Sequence, residues 1–262
     1  MHRYPLISAA SLLAALALGA CTHAPTAPSA PSIPAYITAA VADTNRPAAD
    51  LQRDANRKPA ETLAFAGVHP GEQIGELVPG GGYFTRLFSK VVGPTGHVYA
   101  LVPPRPANPS ASNPDRAAAV AALAADANYT NISVVELTMG KVTAPVPLDL
   151  VFTGQNYHDL HNIPSLSVAA FNKSVFDSLK PGGLFVILDH SAPAGSGATD
   201  TNTLHRIDAE TVKTEVLAAG FELVASSDIL ANPADPRTAN VFDPSIRGKT
   251  DQFILKFRKP KK

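Results

Sequence analysis

The segment Glu76-Leu-Val-Pro-Gly80-Gly-Gly-Tyr-Phe-Thr85 joins two stretches of different periodicity. Residues 73–78 have the apolar pattern of a short strand, and residues 83–92 have that of an amphipathic helix. Because glycine accepts positive φ and carries no side chain, a glycine-rich turn brings backbone N–H groups at a helix N-terminus close to a polar or anionic group. The segment therefore predicts a strand, a turn and a helix, either with a ligand at the turn or as a tight connection without one.

The rest of the chain alternates between strand and helix patterns. This alternation predicts an α/β fold with a doubly wound, mostly parallel seven-stranded sheet and helices on both faces. The last two strands have no helix between them, which allows the late strand to insert antiparallel. The predicted strands are 73–78, 97–101, 132–136, 148–152, 184–188, 222–226 and 252–257, and the predicted helices between them are 83–92, 115–126, 165–179 and 208–219. Residues 37–68 also have a helical pattern, with a new helix beginning at Pro59.

The composition is that of a globular chain with one core. The chain has 262 residues, of which 45% are hydrophobic, and its 22 basic and 22 acidic residues give zero formal net charge. A chain of this size and composition buries one sizeable core. The charge balance argues against nucleic acid as a partner, so a small-molecule substrate is expected.

The N-terminus has the pattern of an export signal. A short basic region precedes an apolar run from Leu6 to Leu18, which ends in Leu18-Gly-Ala-Cys21. This order resembles the lipobox of bacterial lipoproteins, in which the cysteine is lipid-modified and becomes the mature N-terminus. The alternative is an ordinary signal peptide with an incidental cysteine. The predicted organisation is a signal at 1–21, a Pro/Ala-rich tether at 22–36 and a folded domain at 37–262.

The resemblance also implies a location. A lipidated Cys21 anchors the protein to a membrane, and the usual inner-membrane retention signal is an aspartate directly after the cysteine. Thr22 stands there instead. The expected location is therefore the periplasm, with the lipid in the outer membrane.

Polar residues follow three of the predicted strands. The glycines follow the first strand, Asn156, His158 and Asp159 follow the fourth, and Asp189 and His190 end the fifth. Ligands of doubly wound sheets bind at the carboxyl ends of the strands, where the strand order reverses. The three polar segments are therefore expected to converge on one site.

With these segments in view, residues 56–260 resemble the class I S-adenosylmethionine-dependent methyltransferases, and more closely a group of exported bacterial methyltransferase-like lipoproteins. Residues 76–85 are similar to the first motif of that family, an acidic residue followed by alternating glycines, with Val78 in place of the first glycine. Residues 179–188 are similar to the turn into its fifth strand. The resemblance implies a Rossmann-like methyltransferase fold and S-adenosylmethionine as cofactor.

The predicted cofactor-binding residues lie at the first and fourth strand ends. In the family, the first motif lies against the methionine end of the cofactor, which implies this role for Glu76, Gly80 and Gly82. Gly81 and Asn156 complete the predicted set.

One position departs from the family pattern. Family members usually end the second strand with Asp or Glu, which accepts hydrogen bonds from both ribose hydroxyls of the cofactor, whereas this chain has Val102. A buried hydroxyl left unpaired costs about 1–3 kcal/mol, which is roughly tenfold to a hundredfold in affinity. Two functions follow: a methyltransferase acting on a small molecule, or a non-catalytic periplasmic binding lipoprotein with a degenerate methyltransferase fold.

His158 is the candidate base, because methyl transfer to oxygen or nitrogen requires removal of a proton from the acceptor. Asp159 is the candidate for orienting it, in a loop conformation. The alternative is that Asn156, His158 and Asp159 only satisfy backbone groups at a turn. His158, His190, His205 and Asp189 are suitable metal ligands by type, but no compact ligand spacing is present and no metal site is predicted.

The long segment 232–251 separates the last two strands. Its length predicts a lid or a binding loop, in which Arg237, Arg247 and Lys249 would face an anionic substrate. The alternative is an ordered surface excursion held by its prolines.

Overall fold

A seven-stranded sheet lies at the centre of the residues that the computed structural model describes, which are 1–2, 33–104, 107–110, 115–138 and 140–261. The predicted export signal from residue 3 onward, with Cys21, and the tether as far as residue 32 lie outside these residues. None of the helices in the described ranges has the length and apolar character needed to cross a membrane.

The order of the strands in the sheet is β3-β2-β1-β4-β5-β7-β6. The first five strands are parallel, and β7 lies antiparallel between β5 and β6. The predicted mostly parallel sheet with a late antiparallel insertion is confirmed. The strands are β1 (Gln73–Leu77), β2 (His97–Val102), β3 (Ile132–Glu136), β4 (Leu148–Gly154), β5 (Leu179–His190), β6 (Glu222–Ser227) and β7 (Gln252–Arg258).

The path of the chain reverses between β1 and β4. From β1 the chain proceeds outward through β2 and β3, and β4 then pairs with the opposite edge of β1. The carboxyl ends of β1 and β4 therefore border a crevice, which is the usual ligand position in such sheets.

Eight α-helices belong to the described residues: α1 (Ala35–Val41), α2 (Ala48–Leu51), α3 (Asp54–Arg57), α4 (Pro59–Ala66), α5 (Tyr83–Val92), α6 (Ala118–Ala124), α7 (Val168–Ser178) and α8 (Ala209–Ala218). Pro59 is the first residue of α4, as predicted. Side chains cap two of the later helices: Ser167 accepts from the N–H of Ala170, and Asp208 accepts from the N–H of Glu210. Asp208 is therefore a cap residue.

Two apolar clusters cover the two faces of the sheet. Along β5, Val186 and Leu188 belong to the cluster that contains residues of α1, α4, α5 and α6. Phe185 and Ile187 belong to the other cluster, which contains residues of α7 and α8. Because successive side chains of a strand point to opposite faces, a continuous apolar run serves both layers, and the predicted helices on both faces are confirmed.

The glycine turn, Gly80 to Gly82, ends against α6. Gly82 has φ of 80° and precedes α5. A Cβ atom on Gly82 would lie 2.7 Å from Cδ2 of Leu123 in α6. A side chain at this position would therefore force Leu123 to move, whatever the turn binds.

We expect Gly82→Ala to destabilise the protein by about 1–3 kcal/mol, because it overfills the contact with Leu123 and places a side chain at positive φ. The matched control is Gly81→Ala, where a Cβ atom has no heavy atom within 4 Å. Urea unfolding of both variants measures the difference. Equal midpoints for the two variants would contradict the close packing at Gly82.

Candidate functional site

A cleft of about 640 Å³ opens at the carboxyl ends of β1, β4 and β5. We call it the main cleft. The glycine turn, the segment after β4 and the end of β5 form its walls, together with residues of α3 and of the long segment between β6 and β7. A second cavity of about 440 Å³ shares Arg57, Gln155 and His190 with it. The three polar strand ends converge as the sequence predicts.

Two of the three turn glycines face the main cleft. Gly80, with φ of 58°, and Gly81 are exposed and line it, and a Cβ atom added to either would meet no heavy atom within 4 Å. A ligand can therefore approach the backbone there. Gly82 is buried against Leu123 and is not among the lining residues, so its predicted contact with a cofactor is replaced by a packing role.

Val78 and Asn156 hold the first strand end in place. Val78 has φ of 48°, a left-handed conformation that is strained for a β-branched residue. Its N–H donates to Leu101 (2.8 Å), and its carbonyl accepts from Nδ2 of Asn156 (3.2 Å). The same amide donates to the carbonyl of Gly154 at 2.7 Å. Asn156 thus braces β1 against β4 while lining the cleft, as the backbone-satisfying alternative predicts.

Glu76 lies one residue before the end of β1 and is only 3% exposed. Its Oε2 accepts a hydrogen bond from Oγ1 of Thr85 at 2.6 Å. Burial raises the pKa of Glu76 to about 8, against the opposing influence of that hydrogen bond and of the nearby Arg57 and Arg86 charges. The carboxyl group is therefore protonated at neutral pH, and a cationic ligand beside it would favour its ionised form.

His158 is held by a buried carboxylate from β5. Oδ1 of Asp189 lies 2.8 Å from Nδ1 of His158, and Oδ2 accepts from the backbone N–H of His158 at 2.8 Å. Burial by itself would lower the pKa of His158, but the charge and hydrogen bond of Asp189 outweigh it, and the pKa is raised. Nδ1 donates to Asp189, which leaves Nε2 as the acceptor nitrogen of the neutral ring.

The prediction that Asp159 orients His158 is replaced by this finding. Asp159 follows His158 in a short 3-10 helix, His158–Asn162, and its Oδ1 lies 3.4 Å from Nε2, on the other side of the ring from Asp189. β5 pairs with β4, so the end of β5 brings Asp189 to Nδ1. The sequence did contain a signal, because Asp189 is a charged residue closing an apolar strand.

The other histidines of the cleft have different environments. His190 is buried, its Nδ1 lies 2.7 Å from Oγ1 of Thr250, and burial lowers its pKa to about 4. His205 has φ of 56° and its ring lies 5.4 Å from that of His158. His190 is thus a neutral residue of the cleft wall, whereas the ring of His205 lies beside that of His158.

Arg57 lines the main cleft, although the sequence did not predict a role for it there. Its guanidinium lies 4.7 Å from the centroid of the Tyr83 ring and donates to Oε1 of Gln155 at 2.8 Å. Burial, its largest influence, lowers its pKa to about 10, so it remains a cation. The local sequence does not mark Arg57 as a cleft residue, because its position depends on how α3 packs over the turn.

The segment between β6 and β7 both lines the cleft and is firmly held. Val241 and Phe242 are lining residues. Arg206 pairs with Asp235 at 2.8 Å, and both side chains are fully buried. Basic residues of the segment were predicted to face an anionic substrate. Of these, Arg247 lines the second cavity, whereas Arg237 pairs with Asp251 at 2.9 Å. The segment is an ordered excursion that also forms part of the cleft wall.

Val102 lies in the core. It is 1% exposed and belongs to the cluster shared with α5 and α6. The carboxyl groups that line the described part of the main cleft are those of Glu76 and Asp159. No described carboxylate therefore takes the place of the usual ribose acceptor at the end of β2.

Solved structures that match this fold include methyltransferases and a cyclase. A SAM-dependent methyltransferase from Aquifex aeolicus matches with a TM-score of 0.54 and 16% identity over 79% of this chain and 97% of its own. The glycopeptide N-methyltransferase MtfA, in complex with S-adenosyl-L-methionine, gives 0.51 and 16% over 77% and 86%. The [4+2]-cyclase SpnF gives 0.58 and 16% over 83% and 85%.

These similarities show the fold, a Rossmann-like methyltransferase fold. No protein-family model matches the chain, and no curated protein matches its sequence. Since one matching structure is a cyclase, the reaction has to be argued from the site.

The buried Glu76 gives a prediction for stability against pH. Its pKa rises from about 4.5 in the unfolded chain to about 8 in the folded protein. Between these values the unfolded chain ionises first, so stability falls as pH rises, by up to about 1.4 kcal/mol per pH unit. We expect Glu76→Gln to remove this contribution and to gain stability relative to the wild type between pH 5 and pH 8.

Urea unfolding at several pH values measures this difference. The control is Glu61→Gln, which changes an exposed carboxyl group on α4 and should leave the wild-type pH dependence intact. A Glu76→Gln variant whose stability changes with pH in parallel with that of the wild type would contradict the assignment.

Proposed function

We propose that the protein is an S-adenosylmethionine-dependent methyltransferase acting on a small-molecule acceptor. The observation that carries the proposal is that one cleft is lined both by an open glycine turn and by a histidine oriented by a buried carboxylate. The fold neighbours, one of which is in complex with S-adenosyl-L-methionine, support it.

The residues at the glycine turn fit the methionine end of the cofactor. Gly80 and Gly81 leave space where side chains would project, and the Glu76 carboxyl group suits a neighbouring ammonium or sulfonium charge. The cofactor would supply an electrophilic methyl group. At the ribose end the described lining offers no carboxylate, so we expect weaker binding than in family members that have one.

The residues at the opposite end of the cleft suit the acceptor. Asp189 fixes the ring of His158, so Nε2 is the nitrogen that can take a proton from the methyl acceptor. A buried carboxylate that orients an imidazole beside an open cleft is an arrangement concentrated at catalytic sites. This arrangement favours an enzyme over the non-catalytic binding protein.

The proposed location follows from residues 1–22 of the sequence. Cys21 would carry the lipid, and Thr22 favours the outer membrane, so that the domain faces the periplasm and meets small molecules there.

Gly81→Val tests the cofactor site. The new side chain projects into the main cleft, so we expect the affinity for S-adenosylmethionine to fall at least about tenfold, or about 1.4 kcal/mol. Isothermal titration calorimetry of the form lacking residues 1–21 measures it, and urea unfolding should show unchanged stability. No binding to the wild type at about millimolar cofactor would overturn the proposal.

Cys21→Ser tests the anchor. The variant should lose incorporation of labelled palmitate and move from the detergent phase to the aqueous phase on Triton X-114 partition. The matched variant Thr22→Asp should keep the lipid and shift the protein towards the inner-membrane fraction. A wild-type chain that takes up no label would refute lipidation.

A further inference from the structure

Three polar groups converge at the acceptor end of the main cleft. His158, Asp159 and His205 each offer one ligand atom, and these atoms all lie within 4.8 Å of one another. Oδ1 of Asp159 is 3.4 Å from Nε2 of His158 and 3.6 Å from Nδ1 of His205. All three residues line the cleft.

Direct hydrogen bonding does not account for this spacing. An N–H···O hydrogen bond has a donor–acceptor distance of about 2.7–3.2 Å, which is shorter than either of the two separations. Ligand atoms at about 2.0–2.2 Å from one tetrahedrally coordinated ion are instead about 3.3–3.6 Å apart. The carboxylate between two imidazoles is therefore spaced like part of a coordination shell.

The surroundings hold the first imidazole as a ligand. Nδ1 of His158 is bound to Asp189 at 2.8 Å, and Asp189 is completely buried. Ligating histidines almost always donate their second ring N–H in this way, which fixes the ring and makes the free nitrogen a better ligand.

The second imidazole is held by backbone conformation and packing. His205 has φ of 56°, and its ring packs edge-to-face on Phe242 at 5.0 Å. Two residues later, Ile207 forms a bridge with Ser191 directly after β5. The strained conformation at His205 is of the kind that accumulates at functional sites.

We propose that Nε2 of His158, Oδ1 of Asp159 and Nδ1 of His205 bind one divalent transition-metal ion, with coordination positions open to the main cleft. Two imidazoles and one carboxylate suit Zn²⁺ or Fe²⁺, whereas Mg²⁺ and Ca²⁺ prefer oxygen ligands. The metal site is inferred from the geometry alone and does not depend on whether the protein transfers methyl groups.

The ion defines a class of acceptor, an inference that rests on the proposed function. A hydroxyl group bound to such an ion at an open position would become more acidic and would release its proton to solvent. The acceptor is then a small molecule with a metal-binding hydroxyl group. His158 becomes a ligand rather than the base, because its free nitrogen cannot coordinate an ion and take up a proton together.

Metal titration of the full chain tests the site. After dialysis against a chelator, we expect one Zn²⁺ per chain by calorimetry, and a visible Co²⁺ spectrum of a nitrogen–oxygen site that changes when acetohydroxamate is added. Asp159→Asn and His205→Ala, at partly exposed positions, should each weaken Zn²⁺ binding by at least about tenfold. Circular dichroism checks that both remain folded.

The matched control is His69→Ala, which removes an exposed histidine that does not line the main cleft and should bind Zn²⁺ like the wild type. Absence of a stoichiometric ion, or equal affinity in all three variants, would overturn the metal site. Titration of S-adenosylmethionine into the same samples separates the two proposals. Zn²⁺ binding without cofactor binding refutes only the methyltransferase, and cofactor binding without Zn²⁺ binding refutes only the metal site.

Discussion

The buried carboxylate of Asp189 is the constraint on which the site depends. A charge that is removed from water must be paired and hydrogen-bonded. Asp189 accepts from the backbone N–H of His158, from the His158 ring and from the N–H of His190, each at 2.8 Å. These bonds tie the segment after β4 to the end of β5. The position of the imidazole is therefore determined by the requirement to satisfy a buried charge.

The same strand ends give the cleft two chemically different halves. At β1 the backbone is exposed at Gly80 and Gly81, and the Glu76 carboxyl group beneath is kept neutral by burial. At β4 and β5 the groups are imidazoles and carboxylates. Asn156 braces the two halves through the carbonyls of Val78 and Gly154. A methyl donor at one end and a methyl acceptor at the other would thus meet within a single cleft.

The long segment between β6 and β7 completes the wall that the sheet leaves open. The buried pair of Arg206 and Asp235 holds it, and the N–H of Asp251 donates to Asp235 at 2.6 Å. Phe242 then packs against His205. Since removal of one partner from a buried pair is strongly destabilising, Asp235 is a firm anchor for this wall.

The sequence by itself determined the fold, because strand and helix periodicity, the glycine turn and helix caps such as Asp208 are local properties. It also predicted that three polar strand ends, one of them followed by His158, converge, and they do border one cleft. Only the tertiary structure decided that Asp189 rather than Asp159 orients His158 and that Gly82 packs against Leu123. It also decided that the ring of His205 lies beside that of His158. The physical reason is that these contacts join residues far apart in the chain, and strand order and helix packing set which of them meet.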